Sequence, residues 1–555
     1  MRLVGLAAPS LGAGRDNGEA LTNSEHDEGR GRPVLFQPIV VASAVFTVLV
    51  WVTAFKQAML VPLSHDEHQF VAAGRLTAEG LLIYRDFPSN HMPYLAFIYA
   101  AIFKATDWDL LPARAVSAVS AALGIGLVFA LTSSFFRGRS NITRFALAAA
   151  SSLALMTNPL FRYTSGRAWN HDLPTLLTLA AVAVFLRGKS GRRLSASAML
   201  SGALVGMAAG TRLTYLLALV PFLLAILLDW RPDDGPRRWT VAGAFSAGSA
   251  LASLPWIALF GLAPRQFIFG NITYQTLNTD YRELLAHSVG QTLVGKVVFF
   301  YHVLVDEPAN LLLFLVGLVA VTCAAVWLVR RKSGIPRELA LLGGLALILC
   351  VGAFVATPSW YQYFYAPIPF LILAGMFAIS YVWPAQAGWE KALAWLAALI
   401  MVVGGIALVT QGDWPFLRET DRWIPVQAHD LGVEMARRVG QGKVLTLSPI
   451  FPLEGDLGIY PSLATGPFSW RVAPLLAESQ RREFGLLSYS DLNTALRDDP
   501  PAGIMVGFEA GNEGFERGTK GGLEAPLANY AKEHGYSPVT FMTPLMEHEV
   551  ILWLR

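Results

Sequence analysis

The residues best suited by type to do chemistry lie between Ser64 and Tyr94, in SHDEHQFVAAGRLTAEGLLIYRDFPSNHMPY. This stretch holds Asp66, Glu67, Glu79 and Asp86 beside His65, His68, His91, Arg75 and Arg85. No other stretch before residue 410 is so dense in titratable groups. A carboxylate can take the proton of an incoming hydroxyl, and nearby cations can hold an anionic leaving group. Asp66 is the candidate base. Glu67 has two readings. Ser64 and Glu67 have the S-x-x-E spacing of a capping box, with Gly80 closing the helix, so Glu67 could simply hold the Ser64 amide. Next to Asp66 it could instead bind a sugar or an acceptor. In YRDFPSNHMPY (84–94), the residues Asp86, Pro88, Asn90 and Pro93 are explained by turns. Arg85 and His91 are not, and both could bind a phosphate; interfacial snorkelling is the other reading.

Three further clusters need the same two readings. FRYTSGRAWNHDLP (161–174) carries Arg162, Arg167 and His171, then Asp172 just before Leu173-Pro174. Asp172 is either a helix N-cap or a second catalytic carboxylate. Arg212 sits in AAGTRLTY (208–215), and Tyr361, Tyr363 and Tyr365 in TPSWYQYFYAPIPF (357–370). The tyrosines suit an aromatic belt or the lining of a sugar site. Between 262 and 307 lie Asn271, Tyr274, Gln275, Asp280, Tyr281, His302, Asp306 and Glu307, with no recognisable spacing.

The rest of the chain must position these groups. It has 555 residues, 54% hydrophobic and 15% charged. Apolar runs near twenty residues recur from Val34 to Thr410, the mark of a polytopic membrane protein. A net charge of +3 argues against a nucleic-acid partner. Cys323 and Cys350 lie within apolar runs and form no disulfide framework or metal motif. No cleavable signal peptide is expected, and residues 1–33 read as a disordered cytoplasmic tail. Eleven spans are predicted, at about 34–57, 112–136, 145–162, 172–187, 195–210, 212–229, 240–261, 308–329, 338–357, 363–383 and 390–410. Segment 93–109 is too short to cross. The basic connections 137–144, 187–193 and 330–337 fall on one side only if it lies in the interface. The N-terminus is then cytoplasmic. The first outer loop 58–111, the loops 163–171, 262–307 and 357–362, and everything after Thr410 lie outside.

Residues 411–555 change character. KVLTLSP (443–449), AGIMVGFE (502–509), PVTFMT (538–543) and EVILWLR (549–555) read as strands, 490–499 and 524–535 as helices. They predict a small extracytoplasmic α/β domain, without a nucleotide-binding motif.

Taken together, these segments resemble the polytopic glycosyltransferases of the GT-C fold, in particular protein O-mannosyltransferases and the aminoarabinose transferases of lipid A. An acidic pair follows the first span. His91-Met92-Pro93-Tyr94 is similar to that family's H/K-P-P-L segment, with Met for the first proline. Arg167 to Asp172 and Pro174 match its R-x4-D-x-P. Gly210-Thr211-Arg212-Leu213 looks like its G-T-K-G hairpin, and Tyr363 to Pro369 like its R-Y-x-L-P-x-x-P. The resemblance covers about residues 34–410. It implies a polyprenyl-phosphate sugar as donor and an extracytoplasmic glycan, lipid or protein of the cell envelope as acceptor, at the inner (plasma) membrane. It maps the family's presumed base to Asp66; the reaction expected here is an inverting displacement, with Asp172 as a second catalytic residue. Arg85, His91, Arg167 and Arg212 would bind the donor phosphate, and Glu67, Tyr361, Tyr363 and Tyr365 the sugar or acceptor. A divalent cation could bridge Asp66 and Asp172 to the phosphate. The competing readings are a flippase of the same lipid and a non-catalytic envelope-binding protein.

Overall fold

A computed structural model describes residues 38–188, 191–228, 235–284, 292–382, 387–410, 414–509, 522–541, 543, 545 and 549–555. The predicted N-terminal tail, the first residues of span one and Lys189 lie outside these residues, as do the side chains of Arg192 and Arg193.

The membrane part is helical because its apolar runs must satisfy every backbone N–H and C=O within the segment. Its helices are α1 (Pro38–Leu60), α2 (His65–Ala78), α3 (Tyr94–Phe103), α4 (Leu110–Phe135), α5 (Asn141–Met156), α6 (Pro159–Thr164) and α7 (Asp172–Arg187). Then come α8 (Gly191–Thr211), α9 (Leu219–Leu228), α10 (Gly235–Leu262), α11 (Pro264–Ile268), α12 (Tyr274–Leu284) and α13 (Leu293–Val305). The last four are α14 (Pro308–Arg330), α15 (Arg337–Val355), α16 (Ile368–Val382) and α17 (Ala387–Thr410). Seven helices among the described residues are long and apolar enough to cross a bilayer. The other predicted spans coincide with shorter helices: α5, α7, α9 with the 3-10 turn before it, and the 395–406 part of α17. On α14, Leu312, Leu315, Val316 and Val319 are exposed, as a lipid-facing stripe requires. Helices α8 and α10 pack backbone to backbone, since a Cβ on Gly202 or Gly248 would strike the carbonyl of Phe245 or Met199.

Segment 93–109 resolves into α3, ten residues and about 15 Å long, half of a hydrocarbon core. The predicted span 145–162 breaks at Asn158, whose Oδ1 accepts the Leu160 and Phe161 N–H groups and starts α6 at Pro159. The predicted loop 262–307 is largely helical. It contains α11, a π-helical turn (Phe269–Thr273), α12 and α13. The apolar run of α13 was too short to read as a span and is interrupted by Lys296. That ammonium donates to the Phe354 carbonyl and Thr357 Oγ1, both at 2.7 Å.

The C-terminal part is an α/β unit. Its strands are β1 (Lys443–Leu445), β2 (Gly458–Ile459), β3 (Gly503–Val506), β4 (Ser537–Phe541) and β5 (Val550–Leu554), in the order β2-β1-β3-β5-β4. The β2-β1-β3 half is parallel and the β3-β5-β4 half antiparallel. All four predicted strands are present but shorter, and β2, two residues long, carried no sequence pattern. Its helices are α18 (Ile424–Val439), α19 (Ile450–Glu454), α20 (Pro467–Val472), α21 (Glu478–Phe484), α22 (Leu492–Ala495) and α23 (Ala525–Glu533). The helix predicted at 490–499 shrinks to α22.

This unit is pinned to the first loop by polar contacts. Glu454 Oε1 accepts the N–H groups of Leu110 (2.6 Å) and Asp109 (3.3 Å), capping α4 from another part of the chain. His68 Nδ1 accepts the Ile450 N–H at 3.2 Å, with the His68 ring between Phe451 and Phe508. Arg75 pairs with Asp456 and stands 3.7 Å from Asp109.

Candidate active site

The site begins at the start of α2. The capping box is present: the Ser64 N–H donates to Glu67 Oε2 at 2.9 Å. Glu67 does more than cap. It is fully buried and takes both forks of Arg114, at 2.9 and 2.7 Å, and the Ala168 N–H at 2.7 Å. Arg114 in turn donates to the Ala58 and Val61 carbonyls at the end of α1. Glu67 is thus a clamp joining α1, α2, α4 and the 165–171 loop. With its oxygens buried and engaged, it offers nothing to a sugar or acceptor, which corrects that expectation.

Asp66, one residue earlier, points the other way. It is half-buried, and its side chain has one long hydrogen bond among the described residues, from Gln69 Nε2 at 3.4 Å. Its charge acts on Tyr163, Arg167, Tyr274 and Tyr363, four residues from three separate segments. Asp66 therefore lies within electrostatic reach of all three segments.

The 165–171 loop is folded tightly against α1. Gly166 has φ +90°, and a Cβ there would lie 2.9 Å from the Ala58 backbone, so only glycine fits. Asp172 holds this turn. Its Oδ2 accepts the Gly166 N–H at 2.9 Å and its Oδ1 accepts the Tyr365 hydroxyl at 3.3 Å. Asp172 is 1% exposed. It positions the turn, and Tyr365, buried with it, is its hydrogen-bond partner. Arg167 is carried into the site by the turn. Its guanidinium lies over the Tyr163 and Trp169 rings, at 4.9 and 5.1 Å, and donates to the Tyr163 carbonyl. Its Nε is buried with no hydrogen-bond partner.

A cavity of about 720 Å3 opens beside this cluster. Its polar end is built by Arg212, His91, Asn170 and Tyr363. Arg212 Nη1 donates to Asn170 Oδ1 at 3.1 Å and contacts the His171 ring at 2.9 Å, while its guanidinium caps the Tyr363 face at 4.5 Å. Burial, and secondarily Arg212, hold His91 and His171 well below the ordinary histidine range, so both are neutral at pH 7. Its apolar wall includes Leu213, Leu216, Leu217, Ile272 and Val355.

The other expectations separate. Arg85 is 57% exposed at its side chain, paired with Asp86 at 2.8 Å and outside the cavity lining. Tyr361 stands against Tyr163 and accepts a long bond from Asn310, outside the cavity lining. Two cations were missed. Arg282 of α12 lies over Trp360 at 4.4 Å, and Arg471 of α20 donates to the Tyr274 hydroxyl at 2.9 Å. The C-terminal unit thus reaches the site, where Phe468 also meets the His65 ring edge-on. No spacing in the sequence links Arg471 to a residue 197 positions away. Among the described residues no group of three His, Cys, Asp or Glu side chains is arranged to hold a metal. Each Asp172 oxygen accepts one protein hydrogen bond, from the Gly166 N–H and the Tyr365 hydroxyl.

Fold and site together define a polytopic membrane protein of the GT-C fold. The chain is similar to the crystal structures of ArnT from Cupriavidus metallidurans. With the form bound to undecaprenyl phosphate the TM-score is 0.57 at 15% identity, covering 92% of this chain and 97% of that one. With the apo form it is 0.58 at 14% identity, covering 93% and 98%. No protein-family model matches the chain, and no curated protein matches it by sequence.

Proposed function

We propose that this protein is a membrane glycosyltransferase that moves a sugar from a polyprenyl-phosphate donor to an extracytoplasmic acceptor hydroxyl. The observation that carries the reading is the contrast among three carboxylates in the first turns of α2 and α7. Glu67 and Asp172 are consumed by protein donors, whereas Asp66 stays half-open among Tyr163, Arg167 and Tyr363. A cavity with one cationic end and an apolar wall suits a phosphate on an isoprenoid tail. The similarity to a fold that binds undecaprenyl phosphate in ArnT supports the same ligand class.

In the proposed reaction Asp66 takes the acceptor O–H proton as the oxygen attacks the anomeric carbon. The bond from that carbon to the phosphate oxygen breaks, the configuration inverts, and polyprenyl phosphate leaves. Arg212, with the neutral His91 beside it, receives the charge that develops on the phosphate. Arg167 supplies a second cation on the Asp66 side. The basic connections 137–144 and 330–337 support a cytoplasmic N-terminus, and with it a site on the outer side of the membrane. The test is donor consumption by the purified, reconstituted protein, with a panel of undecaprenyl-phosphate pentoses and hexoses and envelope extract as acceptor. Release of undecaprenyl phosphate from one donor is expected. Binding of undecaprenyl phosphate without consumption of any donor would favour a carrier instead.

A further inference from the structure

From the α12 wall of the cavity we infer a subsite that reads the sugar rather than the phosphate, built on Gln275 and Asn90. This rests on the donor reading above. Helix α12 has two polar faces. Tyr274, Asn278 and Arg282, at i, i+4 and i+8, are buried against the body of the protein and fix the helix in rotation. One residue on, Gln275 and Thr279 face the cavity, joined by Thr276. Among the described residues the Gln275 side chain makes no hydrogen bond, although it is half-buried. Across from it, Asn90 belongs to the same lining and is 4% exposed, with neither Oδ1 nor Nδ2 hydrogen-bonded. A buried amide left unpaired costs about 1–3 kcal/mol, so Asn90, with the half-buried Gln275 amide on the same cavity, points to a ligand that pairs with them.

The backbone here is set for that purpose. Gly270 lies so close to the Ser89 carbonyl that a Cβ would overlap it at 1.9 Å, which locks the loop bearing Asn90 to the turn that leads into α12. The Tyr84 hydroxyl donates to the His91 carbonyl at 2.6 Å and receives the Asn271 amide at 3.2 Å, bracing the same junction. Chemistry then assigns the ligand group. Arg212 is the one charged side chain on the described lining, so the phosphate belongs there. Neutral amides both donate and accept, which matches sugar hydroxyls and not a phosphate.

The probes are undecaprenyl phosphate and its pentose and hexose derivatives, with binding to the full-length protein in detergent followed by native mass spectrometry. Wild type should bind at least one sugar-bearing lipid more tightly than the bare phosphate. Gln275→Leu and Asn90→Ala should each lower that affinity about 5- to 50-fold, the range of one or two lost neutral hydrogen bonds. Neither should change the affinity for undecaprenyl phosphate, which also serves as the check that each variant is folded. An equal loss for both lipids, or no loss for the sugar-bearing one, overturns the subsite while leaving the donor reading intact. Failure of wild type to bind undecaprenyl phosphate at all overturns the donor reading, and the subsite with it.

Discussion

At the scale of single residues, the site divides carboxylates and cations into those the fold uses and those it leaves for a ligand. Arg85 and Arg212 were equal candidates by type. Arg85 is exposed and neutralised by Asp86, while Arg212 stands on the cavity wall over Tyr363. Hydrogen bonds to a charged group are worth about 1.5–3 kcal/mol, roughly a 10- to 100-fold change in affinity. Arg212→Ala is accordingly expected to weaken undecaprenyl phosphate binding by that factor, and Arg85→Ala to leave it unchanged. Titration of both variants by native mass spectrometry decides the point, and equal losses would return Arg85 to the site.

At the scale of elements, the Glu67–Arg114 pair holds the first loop to three helices. Removing one partner from a fully buried ion pair strands the other charge and costs about 3–5 kcal/mol. Glu67→Ala should therefore fall sharply in thermal stability. The double variant Glu67→Ala, Arg114→Leu should recover part of the loss, since no stranded charge remains. Thermal unfolding in detergent measures both, and a double variant no better than the single one would contradict the clamp. Much of this was legible in the sequence as spacing. The S-x-x-E box, the cationic 161–174 turn and the Arg212 hairpin are local patterns and stand where they were expected. Which carboxylate remains free was not legible. It depends on Arg114 and on the Ala168 amide, 47 and 101 residues from Glu67, and on the Tyr365 hydroxyl, 193 residues from Asp172. The helices of 262–307 stayed hidden because their apolar runs are short and broken by Lys296 and Arg282.

At the scale of the whole molecule, the C-terminal unit is docked on the catalytic loop by two groups that titrate in opposite senses. Burial, then the charge of His65, pushes His68 down to about 3, and the neutral ring accepts the Ile450 N–H at Nδ1. Its contribution is complete above pH 6.5 and is lost as the pH falls toward 3. Burial, then the Glu454 carboxylate, pushes Asp109 up to about 8. Its contribution is complete below 3.8 and is lost as the pH rises through 8. The two nearly cancel in wild type between about pH 4 and 6.5. His68→Asn, which keeps an acceptor but does not titrate, should tighten docking as the pH falls from 8 to 4. Asp109→Asn should loosen it below 6.5. Hydrogen exchange of residues 450–454 reads the docking, and identical pH profiles for the two variants would refute the opposition.

The proposed reaction turns on Asp66. Its most direct test is donor consumption by purified Asp66→Asn beside wild type, with undecaprenyl phosphate binding measured on the same samples. A lost general base costs about 10²–10⁴-fold in rate. The expected result is a loss of that size with lipid binding unchanged. Turnover near the wild-type rate in Asp66→Asn would contradict it.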